Sequence, residues 1–197
     1  PYTIVRPDPI LFNASSTPVS CAGERDGSIT IEVTGGGQGL LQFAIEPNFN
    51  EFFSDPANPG VYTFTDLEGA PGAGREYDIL IQDAQGCSEV TTVRVTEPET
   101  IAADFTTTPE TCIGFADGTA QLTISGGMPF TDASGVQYYE TSLNSADDAD
   151  YIRNDALLFE NLLGGESYVV FIRDANGCTA NVVIPIDIGV ELAATVD

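Results

Sequence analysis

The chain has 197 residues, with 30 Asp and Glu against 6 Lys and Arg, no His and no Trp, and a formal charge of −24 at pH 7. This balance argues against binding DNA, RNA or anionic lipid, because almost nothing here neutralises phosphates. All six basic residues are Arg, so a histidine base, a Ser-His-Asp triad, a Schiff-base lysine and a P-loop lysine are excluded.

The predicted elements begin with residues 1–7, where Tyr2 to Val5 and Arg6 resemble the closing strand of a preceding copy. Copy one, placed at 8–98, opens with Cys21-Ala22-Gly23-Glu24-Arg25-Asp26-Gly27. In the strand that follows, Ile29, Ile31 and Val33 alternate with Ser28, Thr30, Glu32 and Thr34, the pattern of a half-buried strand with one wet face. Gly35-Gly36-Gly37 reads as the next turn. Tyr77, Ile79 and Ile81 share a face of a later strand, and Asp83-Ala84-Gln85-Gly86-Cys87 is a turn in which Gly supplies the positive φ. Val93, Arg94 and Val95 close the copy.

The same words recur 91 residues later. Copy two, placed at 99–189, has Cys112-Ile113-Gly114-Phe115-Ala116-Asp117-Gly118, then Ala120, Leu122 and Ile124 alternating with Thr119, Gln121, Thr123 and Ser125, then Gly126-Gly127. Tyr168, Val170 and Ile172 share a face ahead of Asp174-Ala175-Asn176-Gly177-Cys178. Cys178, Ala180, Val182, Ile184 and Ile186 then fall on one parity, which predicts a core-facing cysteine. Residues 190–197 resemble Ile101 to Thr106 and are assigned to the start of a following copy, so further copies are expected on both sides. Pro98 and Glu99 leave a short linker, and end-to-end stacking with limited bending is expected. The copies differ in length where loops should, at Ala70 to Gly74 and at Thr131 to Gln137.

Tandem duplication at this period predicts a repeat array. No stretch has a helical period, and Gly, Pro, Asn and Asp punctuate the chain throughout. The expected fold is all-β: two tandem immunoglobulin-like antiparallel β-sandwich domains of about seven strands each, without the buried Trp of antibody domains. No apolar run is long enough for a membrane span, and any export signal or anchor is expected outside this stretch. The acidity is shared by both copies and suits a soluble, self-repelling chain in contact with water, salt or divalent cations.

The four cysteines, two per copy and 66 residues apart in each, read as one disulfide per domain, Cys21 with Cys87 and Cys112 with Cys178. Closing such a loop is worth roughly 4 kcal/mol in the chain-entropy view. Free buried thiols or a metal site are the alternatives, and with no CxxC pair and no His a zinc site is disfavoured. Disulfides imply an oxidising compartment and hence an exported protein.

Asp147, Asp148, Asp150 and Asp155, with Asn144 and Asn154, fall in one predicted loop and are weak calcium candidates. Their spacing does not match an EF-hand, Arg153 intrudes, and a solvated loop is the favoured reading; otherwise no cofactor is expected. Phe49, Phe52 and Phe53, or Tyr138, Tyr139 and Tyr151, are candidates for a sugar platform, although each set mixes strand parities and suits core packing better. Paired carboxylates for glycoside hydrolysis are disfavoured in domains this small without Trp or an evident cleft, and no enzymatic activity is expected. A linker region of a secreted multidomain enzyme is a minor alternative.

The pattern Cys-x-Gly-x-x-Asp-Gly, an alternating strand, Gly-Gly, and a final Asp-Ala-Asn-Gly-Cys resembles the SprB repeat family, from about Cys21 to Pro98 and from Cys112 to Ile186. The Pro-aromatic step common after the Gly pair stands as Pro129-Phe130 in copy two and is missing at Gly37-Gln38-Gly39-Leu40. The resemblance implies a repeat segment of a very large cell-surface adhesin of gliding bacteria, exported by the type IX route and moved along the outer membrane by a motor. Implied partners are neighbouring repeats of the same chain, a surface polysaccharide or substratum, and, through other parts of the parent protein, the gliding machinery. The alternative is a module that itself captures polysaccharide or calcium.

Overall fold

A computed structural model describes residues 8–190, so the strand expected at 2–5 and most of the start expected at 190–197 lie outside the described residues. The chain divides into two compact units, Pro1–Glu99 and Thr100–Asp197.

Among the described residues, the first unit has six strands: β1 (Leu11–Thr17), β2 (Gly27–Gly35), β3 (Gln42–Ile45), β4 (Val61–Leu67), β5 (Arg75–Gln82) and β6 (Ser88–Val95). They pair antiparallel into two sheets ordered β1-β2-β4 and β3-β5-β6. The period-2 pattern fixes which face is dry. Ile29 and Ile31 of β2 meet Phe43 of β3 and Ile79 and Ile81 of β5, all without accessible surface. Burying each such side chain stabilises the fold by roughly 1.5–3 kcal/mol. The sheet order is that of an immunoglobulin-like sandwich, in which isoleucines fill the centre that antibody domains cross with a disulfide.

The second unit repeats this plan. One sheet contains β7 (Ala102–Thr108), β8 (Gly118–Ser125) and β13 (Leu158–Leu162), and the other contains β11 (Glu140–Leu143), β12 (Ile152–Arg153), β14 (Ser167–Arg173) and β15 (Thr179–Pro185). Ala120, Leu122, Leu162, Val170, Ile172, Ile184 and Ile186 form its core. The extra residues of this copy make a small hairpin, β9 (Phe130–Thr131) with β10 (Gln137–Tyr138).

Against an expected number of about seven strands each, the units form six and nine among the described residues. In the first unit, residues 46–60 carry Pro47, Pro56 and Pro59, which cannot donate to a ladder, and this stretch forms turns and one bridge from Phe53 to Phe43. In the second unit, several of the extra strands are two-residue pairs.

A tyrosine at the start of the same strand in each unit ties down the preceding corner. The Tyr77 hydroxyl donates to the Glu68 carbonyl at 2.9 Å, and the Tyr168 hydroxyl accepts the Leu163 N–H at 2.8 Å. Such a tyrosine corner is a hallmark of immunoglobulin-like sandwiches. Among the described residues, no helix is long and apolar enough to cross a membrane.

Candidate functional site: the cysteine loops

Each unit carries one cysteine where the chain enters and one where it leaves. In the first unit, Cys87 lies in the turn between β5 and β6, and Asp83 organises that turn. Its Oδ1 accepts the N–H groups of Gln85 and Cys87, both at 2.9 Å, and its Oδ2 accepts the Gln38 N–H at 2.9 Å. This places Cys87 beside the Gly turn after β2, where Gly36 and Gly37 approach Pro9 and Ile10 at the incoming pole. Burial pushes the Asp83 carboxyl up, but the N–H groups of Cys87, Gln38, Gln85 and Gly86 outweigh it and hold the group below its ordinary value.

Asp174 does the same work in the second unit. Its Oδ1 accepts from Asn176 at 3.0 Å and Cys178 at 2.9 Å, and its Oδ2 accepts from Met128 at 2.8 Å. Gly127 sits beside it with φ +62°, where a Cβ would lie 2.7 Å from Ile101 Cγ1 and 2.8 Å from Asp174 Oδ2. The aspartate of the Asp-Ala-x-Gly-Cys word is thus a buried clip joining two turns at the incoming pole.

The Cys-x-Gly-x-x-Asp-Gly word builds the opposite pole. Asp26 Oδ1 accepts the Ser20 N–H at 2.9 Å, one residue before Cys21, and the Val19 N–H donates to the Thr96 carbonyl at 2.9 Å. In the second unit, Asp117 accepts the Thr111 N–H at 2.8 Å and the Thr111 hydroxyl at 2.6 Å, one residue before Cys112. Hydrogen bonds from Ser20 and Thr111, side chain first and backbone second, hold both carboxyls below their ordinary values. The glycine of the word is required by close approach. A Cβ on Gly27 would lie 2.7 Å from Val95 Cγ1, and one on Gly118 would lie 2.8 Å from Ile186 Cγ2 and from the Leu162 carbonyl.

These positions correct the expected pairing. Arg75 pairs with Val95 at the outgoing end of the β5–β6 hairpin, and Gln82 pairs with Ser88 at the other. Cys21 belongs to the first end and Cys87 to the second, separated by seven residue steps, or about 23 Å. A disulfide needs Cα atoms within about 7 Å. In the second unit Cys112 bridges to Val190 at one pole while Cys178 tops the β14–β15 hairpin at the other. Bonds from Cys21 to Cys87 and from Cys112 to Cys178 are therefore not formed. Cys87 and Cys112 are half-buried free thiols, whereas Cys21 and Cys178 are disulfide-bonded. Strand parity placed Cys178 toward the core, and it does pack partly against it; the pairing fails because the two cysteines of each unit cap loops at opposite poles.

The acidic loop of the second unit is laced to arginines. Asp148 pairs with Arg173, which also holds Glu140 at 2.6 Å; Asp155 lies 2.5 Å from Arg153, which also holds Asp132 at 2.9 Å. Asp150 accepts from the Ser145 hydroxyl, Asn154 donates to the Leu158 carbonyl, and the Asp147 N–H donates to Ser145 Oγ. Among the described residues, no three Asp, Glu, Cys or His side chains gather as a metal cage. The five described arginines all stand in ion pairs with carboxylates, so the negative field is unrelieved by any basic patch among them.

The aromatic candidates divide in the same way. Phe53 stacks on Tyr62 and packs against the core, with Phe49 and Phe52 half-buried nearby in sequence. Tyr139 donates its hydroxyl to the Gly126 carbonyl at 2.6 Å. Tyr138 is sandwiched between Phe130, 5.1 Å away, and the Arg153 guanidinium at 4.1 Å, and Tyr151 lies under Arg173 at 4.4 Å. They do not form one exposed row.

Both cysteine words and both alternating strands thus sit in the same place in two immunoglobulin-like units. The SprB repeat family model matches the chain twice. It covers residues 13–39 and 105–130, from β1 or β7 through the outgoing cysteine loop to the Gly turn. No curated protein matches the chain. Among solved structures, one on Dscam isoform specificity matches at 12% identity, with 90% of this chain and 47% of that chain covered and a TM-score of 0.31. The N-terminal four Ig domains of Dscam1 isoform 8.4 match at 12% identity, with 92% and 42% covered and a TM-score of 0.30. The chain spans less than half the length of these solved chains. Outside the matched segments, the incoming hairpin word of each copy is legible in the sequence, but the work of its aspartate is not, nor is the buried Glu110. The 91-residue recurrence of Asp83 and Asp174 was the available signal for the aspartate; Glu110 had none, since copy one has Val19 there.

Proposed function

We propose that this chain is a non-catalytic repeat segment of a large exported cell-surface adhesin, used in bacterial gliding motility and surface attachment. The SprB repeat match on corresponding segments of both units carries this reading. The immunoglobulin-like sandwich, the disulfide-bonded Cys21 and Cys178, and a surface charge that keeps chains apart in water all agree with it. In this role the units act as spacers that transmit force. Shear along a sandwich loads many backbone ladder bonds at once, and the clipped loops at each pole hold the ends of the hairpins in place.

Fluorescence imaging of live source cells with an antibody against this segment tests the proposal. Label travelling along the cell surface is the expected result. Static surface label would overturn the gliding role and leave a passive adhesin, and label confined inside the cell would overturn export as well.

A further inference from the structure

The two repeats fill the same edge of the sandwich with different side chains. In the first, Phe43 of β3 lies opposite Ile81 of β5 and has no accessible surface. Its ring stacks on Tyr62 at 5.8 Å, and Phe53 and Phe64 complete an aromatic cluster between the edge strands β3 and β4. In the second repeat the residue opposite Ile172, which stands 91 residues after Ile81, is Thr141 of β11. Ala120 stands where the first repeat has Ile29, and Leu157, whose carbonyl accepts from Leu122, stands where it has Tyr62 beside Ile31.

A layer with Thr, Leu and Ala in place of Phe, Tyr and Ile leaves space that the surrounding strands only partly take up. In the second repeat that space is a cavity of about 270 Å³ at the sandwich edge formed by β12 and β13. Ile152, Leu158 and Phe159 give it apolar walls, and the exposed residues Asp150 and Glu160 add carboxylates to its lining. Thr141, 1% exposed, lines it as well, and its Oγ1 is a buried hydroxyl without a hydrogen-bond partner. Buried hydroxyls in folded proteins are nearly always bonded, so this one marks where a polar group of a ligand belongs.

We propose that this cavity of the second repeat takes a single neutral sugar ring at the end of a glycan. The lining selects that chemistry. It holds no Arg, and a chain of charge −24 repels uronates, sulfates and phosphates. A purely apolar ligand would leave Thr141 Oγ1 unpaired, and an ammonium group seated against one neutral hydroxyl would lose more hydration than it regains. A bare cation lacks a cage, since among the described residues no three Asp, Glu, Cys or His side chains gather. A pyranose ring meets each demand: its C–H face packs on Leu158 and Phe159, its outer hydroxyls donate to Asp150 and Glu160, and an inner one shares a hydrogen bond with Thr141. The volume falls just below the usual range of ligand pockets, about 300–1,000 Å³, which limits the guest to one ring. Ile152 is 65% exposed, so the cavity meets solvent there and the rest of the glycan stays outside. Phe43 occupies the equivalent place in the first repeat, so the site belongs to the second. This inference does not depend on whether the parent protein moves on the cell.

The test is an amide-resolved NMR titration of the whole chain with the methyl glycosides of glucose, galactose, mannose and fucose, with methyl glucuronide as the anionic control and ethanolamine as the cationic one. At millimolar concentration at least one neutral glycoside is expected to shift the amides of Thr141, Ile152 and Phe159 saturably and to leave those of Phe43 and Tyr62 in place. No saturable shift with any neutral glycoside, or shifts as large with either charged control, would overturn the proposal. Thr141→Val keeps the shape and removes the hydroxyl, and should weaken binding about tenfold. Thr141→Phe installs the first repeat's residue and should abolish binding. A Thr141→Val chain that binds as tightly as the native one would refute the site, whether or not Thr141→Phe folds.

Discussion

Val19 and Glu110 occupy the same place in the two repeats, 91 residues apart, and each is 2% exposed. Val19 joins Val95 in the apolar core of the first repeat. Glu110 instead turns the place polar: its Oε2 accepts the N–H of Gly114 at 3.2 Å and of Ala116 at 3.3 Å, and Gly164 and Gly189 also donate to the carboxyl. One pole is thus closed by packing in the first repeat and by a buried carboxylate in the second.

That carboxylate makes the second repeat acid-sensitive at this pole. Burial raises its pKa, but the four N–H donors outweigh burial and hold it below its ordinary value. A depressed folded pKa contributes stability that is present above the unfolded value, about 4.3, and is lost as the pH falls through the lower folded value. Amide hydrogen exchange at Gly114 and Ala116 should quicken as the pH falls through this range, after correction for intrinsic rates. In Glu110→Gln that acid dependence should flatten; an unchanged pH profile would show that the carboxylate is not what holds the loop.

Asp174→Ala should destabilise the second repeat by roughly 1–3 kcal/mol, because three backbone N–H groups lose their acceptor at once. Asp174→Asn should recover only part of this, since its amide nitrogen must face one of the donors. Urea melts of the two variants compare these costs, and equal stability of Asp174→Ala and the native chain would refute the clip.

Glycine substitutions at the outgoing loop should separate by mechanism. Gly118→Ala drives a Cβ to 2.8 Å from Ile186 and from the Leu162 carbonyl, and should cost about 1–3 kcal/mol through overpacking. Gly114→Ala meets nothing within 4 Å but keeps φ at +87°, so only backbone strain of about 1–2 kcal/mol applies. Thermal melts should rank Gly118→Ala as the worse or equal of the pair, and a clearly milder effect would contradict the packing.

In the first repeat, Ile31→Ala should cost about 2–5 kcal/mol, as expected for a fully buried isoleucine between sheets. Tyr77→Phe removes one hydroxyl bond to Glu68 and should cost about 1 kcal/mol. A larger effect for Tyr77→Phe than for Ile31→Ala in denaturant melts would place the stability of the sandwich at its corner and not in its core.

Salt should raise the melting temperature between low and physiological ionic strength. A charge of −24 repels itself in the compact state, and screening relieves that repulsion more than it weakens the few exposed arginine pairs. A melting temperature that falls with salt would mean that the ion pairs dominate.

Much of the fold was legible because it rests on local pattern. The alternation of Ile29, Ile31 and Val33, and of Ala120, Leu122 and Ile124, assigns strand faces without knowledge of their partners, since a strand's side chains alternate by geometry. The Gly turns and the Asp-x-x-Gly hairpins were equally readable, because positive φ at Gly36, Gly37, Gly86 and Gly177 is a local demand. The site was less legible. The acidic loop reads as a charge cluster in sequence, yet Arg153 within it and Arg173 from β14 bind its carboxylates.

What the sequence by itself determined is the duplication, the strand faces, the acidity and the resemblance to a repeat family, all of which depend on residue type and spacing along one dimension. Only the tertiary structure decided the cysteine chemistry. Sixty-six residues of separation say nothing of distance once the chain folds back through a sandwich, and the length of the β5–β6 hairpin sets Cys21 and Cys87 at opposite poles. Glu110 gives the same lesson on a smaller scale. Its burial is tolerable because four N–H groups from three separate loops converge on one carboxylate, an arrangement that exists only after those loops have been brought together.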